Sequence, residues 1–186
     1  MSQHDVLREI ETRMFGAAEA FKGSLTKLRT GRASLAVVDG VMVDYYGSST
    51  PINQVASLSV PDPTTIAIAP WEPGILGDIE KAILKSNLGL IPNNDGKVIR
   101  LNIPPLTEER RRDLVKIAQA EAENARNQIR QIRRDGNDDF KALERDKEIS
   151  EDQMHDGQES VQKLTDSYVG KVNDILKAKE AEVMED

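Results

Sequence analysis

The chain has 186 residues, 38% of them apolar, enough for one domain or two small ones whose core needs no metal or disulfide staple. It has no cysteine, which excludes disulfides, thiolate zinc sites and a cysteine nucleophile. A net charge of −7 argues against indiscriminate coating of nucleic acid, and no apolar run approaches the roughly 20 residues of a membrane span, so a soluble, cytoplasmic protein without a targeting segment is expected.

Residues 3–29 carry Val6, Ile10, Met14, Ala17, Phe21, Leu25 and Leu28 three or four apart, which predicts a helix with one buried stripe, capped by Ser2 and stopped by Thr30-Gly31. From 31 to 104 the texture changes: seven of the eight prolines fall here, and short β-branched runs alternate with turn residues. Val41–Tyr46 is expected as a strand followed by a Gly-Ser-Ser-Thr-Pro turn, with Ser57–Val60 and Thr65–Ala69 as a hairpin, residues 74–87 as a helix, and Val98–Ile103 as a last strand. After Pro104-Pro105, Thr107 caps a helix running to about residue 145, and Ser150 to Gln153 forms a capping box for another, with Val161, Leu164, Tyr168, Val172 and Ile175 as its stripe.

Long amphipathic helices with one apolar face each bury those faces against one another. The expected fold class is therefore α+β, an elongated three-helix bundle from residues 1–30 and 105–186, with residues 31–104 as a small inserted β/α/β domain. The chain crosses between the two near Thr30-Gly31 and near Ile103-Pro104-Pro105, and two adjacent crossings are expected to form a hinge.

The charge is unevenly spread. Residues 107–134 hold eight bases against five acids, whereas 135–186 hold seven against sixteen. On a helical wheel Arg112, Lys116, Arg126, Arg130, Arg133 and Arg134 share an arc of about 100°, opposite the stripe of Leu114, Ala118, Ala125, Ile129, Ile132 and Leu143. Arg forks suit phosphate oxygens, and cations one and two turns apart can follow successive phosphates. Two readings of this face stand side by side: an RNA or other polyanion surface, and a solvated face supported by pairs such as Glu123 with Arg126 or Glu109 with Arg112. A third possibility is a helical scaffold that binds protein through the acidic part of the bundle.

Enzyme motifs are scarce. Phosphate-loop, dinucleotide, zinc-protease and nucleophile-elbow patterns are all missing, so no catalytic residue, metal ligand or cofactor site is expected. His4 and His155 are expected in solvent near helix starts. Trp71, Phe15, Phe21 and Phe140 are expected in the core, and an aromatic content of 4% gives little support for base stacking.

Seven stretches occur in order along nearly the whole chain: Leu28-Arg29-Thr30-Gly31-Arg32-Ala33-Ser34, Tyr45-Tyr46-Gly47, Asn87-Leu88-Gly89-Leu90, Pro104-Pro105-Leu106-Thr107-Glu108-Glu109-Arg110-Arg111, Ile132-Arg133-Arg134-Asp135, Asp146-Lys147-Glu148-Ile149-Ser150-Glu151-Asp152 and Val161-Gln162-Lys163-Leu164-Thr165. Together they resemble the ribosome recycling factors. The resemblance implies an L-shaped, monomeric translation factor without enzymatic activity of its own. It further implies binding to the large ribosomal subunit and its rRNA, and action with elongation factor G and its GTP hydrolysis to split the post-termination ribosome into subunits. Carried over by residue, it adds Arg111 to Arg130 and Arg133 as RNA contacts, and Arg29 and Arg32 as support for the hinge. The chain departs from the family pattern at Gly136, where many relatives have alanine, and at His155-Asp156, where relatives often carry a basic pair.

Overall fold

In the computed structural model, which describes residues 2–28 and 30–185, α1 (Gln3–Thr26) starts where Ser2 accepts a hydrogen bond from the Asp5 amide and the Asp5 carboxylate accepts one from the Ser2 amide. This reciprocal cap satisfies two amides that the first turn leaves without helical partners. The helix ends at Thr26, short of the expected residue 29, as the Leu28 amide folds back to the Leu25 carbonyl in a tighter final turn. Among the described residues no helix is long and apolar enough to cross a membrane.

Two compact units emerge, one of residues 1–30 and 108–186, the other of 31–107. In the first, α1 packs with α3 (Glu108–Arg145) and α4 (Glu151–Met184). Val6, Ile10, Met14 and Phe21 meet Ile129 and Phe140 of α3 and Val161 and Val172 of α4 in one core, each such buried side chain contributing about 1.5–3 kcal/mol. Two glycines sit where helices approach most closely. A Cβ on Gly136 would lie 3.0 Å from Ile10 and 3.3 Å from Val161, and one on Gly157 would overlap the Phe140 ring. The departure at Gly136 thus falls where three helices meet, and Gly157 makes room for Phe140, the largest fully buried side chain of the core.

The α3–α4 turn closes with Lys147 in the left-handed region at φ 60°, while the Glu148 amide donates to the Leu143 carbonyl. Ser150 and Gln153 cap α4 reciprocally, as expected.

The second unit holds β1 (Met42–Tyr45), β2 (Ser48–Pro51), β3 (Ala56–Asp62), β4 (Thr65–Pro70), α2 (Leu76–Lys85), β5 (Pro92–Asn94) and β6 (Ile99–Asn102). β1 and β2 form a hairpin, and the other strands an antiparallel sheet in the order β3-β4-β6-β5. Ile79 and Ile83 of α2 pack with Val43, Ile66, Ile68, Ile99 and Leu101 in a separate core. Residues 48–51 are a strand where a turn is expected: Tyr46 and Gly47, at φ 50° and 87°, make the whole reversal, so Ser48 already pairs with Tyr45. β3 extends through Pro61, which an edge strand tolerates. β5 has no counterpart among the expected elements.

Phe21 and Phe140 are buried as expected, but Trp71 and Phe15 are not: they are 64% and 53% exposed. Trp71 follows β4, beyond the strand's alternation, and Phe15 lies one helical step round from the buried Met14.

The chain segments at either end of the inserted unit are tied to one turn. The Ala33 amide donates to the Pro63 carbonyl and the Ile103 amide to the Thr64 carbonyl, both at 2.7 Å. Gly31, at φ 77°, lies so close to Leu106 that a Cβ would come within 2.9 Å of its side chain. Thr30 donates through its hydroxyl to Glu182, inside the bundle. Of the expected hinge residues, Ile103 is therefore anchored in the inserted unit and Thr30 in the bundle, while Arg29 lies outside the described residues.

Candidate nucleic-acid interface

The arginine-rich face belongs to α3, which at 1.5 Å per residue is about 57 Å long. Buried Leu114, Ala118, Ala122, Ala125, Ile129 and Ile132 hold one side of the helix to the bundle, so the opposite side faces outward by geometric necessity. Lys116 and Arg134 are exposed and Arg133 is half-buried, and among the described residues none of the three forms an ion pair. Lys116 and Arg133 are separated by about 26 Å along the helix.

The other arc members are engaged within the molecule. Arg112 reaches Glu108 at 3.4 Å, an exposed pair worth only a few tenths of a kcal/mol. Arg126 is only 20% exposed. Its Nε donates to Asn173 Oδ1 of α4 at 2.9 Å and its Nη1 to Glu123 Oε2 at 2.8 Å, so it also joins two helices. Arg130 donates through Nη1 to Glu123 Oε1 at 3.2 Å and to Asn127 Oδ1 at 3.3 Å. Arg111 donates to the carbonyl of Met184 at 3.3 Å, covering one of the last α4 carbonyls, which lack helical partners. The wheel thus locates the face but not the pairing along it: among the described residues Lys116, Arg133 and Arg134 form no ion pair, while Arg112, Arg126 and Arg130 are held by carboxylates.

Glu123 is the centre of that pairing. Its two oxygens take one arginine each, and these hydrogen bonds hold its carboxyl below the usual carboxylate range. The i, i+3 and i, i+7 spacing was visible in the sequence. That one carboxylate would span both arginines depends on rotamers, which spacing leaves open.

Away from the arc, Arg13 of α1 pairs with Asp135 at 2.8 Å and so ties α1 to α3. Burial raises the Asp139 carboxyl above its ordinary value, and the nearby acids Glu9 and Asp135 raise it further. An open groove of about 530 Å³ runs between α1 and α4, with Leu7 and Leu164 on its walls and His4, Arg8 and Lys163 beside them. His4 and His155 are both exposed, as expected. Among the described residues no three His, Asp or Glu side chains converge as metal ligands.

A family model described as "Ribosome recycling factor" matches residues 21–184. The ribosome-recycling factor of Syntrophus aciditrophicus is 54% identical over 180 residues, 97% of either chain, and that of Nitratidesulfovibrio vulgaris 54% identical over 185 residues, the full length of both. A solution structure of a ribosome recycling factor superposes with a TM-score of 0.77 at 41% identity, covering 99% of this chain and 98% of the other. The T. thermophilus ribosome recycling factor, in models with E. coli elongation factor G bound to the E. coli post-termination complex, matches with a TM-score of 0.65 at 39% identity over the whole of both chains.

Proposed function

The chain belongs to the ribosome recycling factor family, and from that membership we propose that it binds the large ribosomal subunit through the cationic face of α3 and, with elongation factor G and GTP hydrolysis, splits the post-termination ribosome into subunits. It is a translation factor of ribosome recycling. The proposed division of labour gives this chain shape and charge and gives the GTPase the energy, so the factor itself catalyses no reaction and works in the cytoplasm as a monomer.

The observation that carries this reading is the row of unpaired cations, Lys116, Arg133 and Arg134, on the outward side of a helix whose inward side is fixed by the bundle core. A guanidinium aimed outward from a rigid helix loses little conformational freedom when it meets a phosphate, and each contact releases condensed counterions. Arg112, Arg126 and Arg130 extend the face where phosphate displaces their carboxylate partners, and Arg111 stands at its edge. The chain passes between the bundle and the insert through residues 31–32 on one side and 104–107 on the other, which include the expected hinge residues Gly31, Arg32, Pro104 and Pro105, and any bend between the two is proposed to fall in these stretches.

Co-sedimentation with isolated large subunits across a salt series tests the anchor. Binding should weaken steeply as salt rises, and Arg133→Ala should cost about 1–3 kcal/mol of affinity. A flat salt response with Arg133→Ala indistinguishable from wild type would overturn the anchor and favour a protein partner.

A further inference from the structure

We propose that Glu123 is an internal guard of a phosphate seat: its carboxylate occupies the position between Arg126 and Arg130 that a backbone phosphate takes on the ribosome, and so lowers the affinity of the α3 face for RNA. The inference rests on the reading of α3 as the RNA-binding face and assigns an affinity-setting role within it.

The geometry is that of an occupied anion site. Arg126 and Arg130 each point one Nη1 at a different oxygen of one carboxylate, at 2.8 and 3.2 Å, much as two arginines would share the two non-bridging oxygens of a phosphodiester. Neighbouring amides hold the two guanidiniums in place: Asn173 accepts from Arg126 Nε, and Asn127 accepts from Arg130. The seat is therefore built by four side chains from two helices, and Asn173 and Asn127 hold its guanidiniums by hydrogen bonds that do not involve the occupant. The occupant itself is loosely kept. Glu123 is 52% exposed and can swing into water, where a carboxylate is well solvated.

Any polyanion that enters the seat must first displace this carboxylate, so the guard lowers the affinity of every RNA that uses the seat by the same displacement free energy. A flexible strand must also order its own backbone to enter, so it gains no more from removal of Glu123 than a prefolded RNA surface does.

The test compares wild type, Glu123→Gln, Glu123→Ala and the charge-matched control Glu121→Gln, whose parent carboxylate makes no ion pair among the described residues, for binding to poly(U) and to isolated large subunits over a salt series. Both Glu123 variants should bind large subunits about three- to tenfold more tightly and poly(U) more tightly by no more than that, with a poly(U) log–log salt slope steeper by about 0.7 for each arginine newly engaged. Glu121→Gln should change neither slope. No gain on large subunits beyond the control, a gain on poly(U) larger than that on large subunits, or weaker binding to both, as expected if Glu123 only positions the arginines, would overturn the guard. Alanine favours the helix, so folding is retained in at least one variant, checked by circular dichroism. Arg133→Ala run alongside separates the two levels: if it leaves large-subunit binding unchanged, the face itself is wrong. If it weakens binding while the Glu123 variants behave like the control, only the guard is lost.

Discussion

Gly136 and Gly157 show how the same residue type answers opposite demands in one bundle. At Gly136 an added methyl would press on Ile10 at 3.0 Å and Val161 at 3.3 Å, contacts that shifts of a few tenths of an ångström relieve, and alanine gains about 1 kcal/mol of helix propensity. Gly136→Ala should therefore shift stability by no more than about 1 kcal/mol. At Gly157 the methyl would overlap the rigid ring of fully buried Phe140, so Gly157→Ala should destabilise by about 1–3 kcal/mol despite the same propensity gain. Urea midpoints at constant m-value compare the pair, and equal effects would refute the account. Neither consequence was legible in the sequence. A mid-helix glycine announces a cost to the helix, while the partner that needs the space, Phe140, lies on another helix.

For the elements, the helical termini are the most firmly encoded parts. Replacing Ser150 with alanine removes the acceptor for the Gln153 amide and should cost about 1 kcal/mol, seen as a lower melting temperature of the bundle. In the inserted unit, Asp95 caps the β5–β6 turn, accepting from the Lys97 and Val98 amides and from Arg100, which lowers its carboxyl to about 2. A depressed folded-state value means that the stabilisation is complete above the ordinary carboxylate range and is lost as pH falls through it toward 2. Asp95→Asn should therefore narrow its stability gap to wild type between about pH 4 and pH 2, measured by amide exchange in the inserted unit. The three long helices, the caps at Ser2 and Ser150 and the apolar stripes could be read directly, because a 3.6-residue period repeated over many turns leaves little alternative, whereas the end of α1 at Thr26 could not. β2 and β5 could not: Ser48–Pro51 and Pro92–Asn94 have no apolar alternation and exist as strands because a neighbour already offers them hydrogen bonds. The basic face was legible for the same reason as the helices, whereas its internal pairing at Glu123 was not.

For the molecule as a whole, the charge arrangement separates affinity from adhesion. The acidic surplus of residues 135–186 opposes polyanions at large, and on the proposed reading the cations on α3 act on a partner shaped to reach them. If Lys116, Arg133 and Arg134 each neutralise one phosphate, they alone give large-subunit binding a log–log salt slope of about −2 to −3, and the seat between Arg126 and Arg130 steepens it further. Removing Arg133 should flatten it by just under one, measurable in the sedimentation series. The shared turn at Pro63 and Thr64 has a separate thermodynamic consequence. Because the two margins of the insert are pinned to adjacent carbonyls, the bundle closes the connection from α1 to α3 as though across a few residues, and the loop-closure entropy of a long intervening chain is met within the insert's own folding.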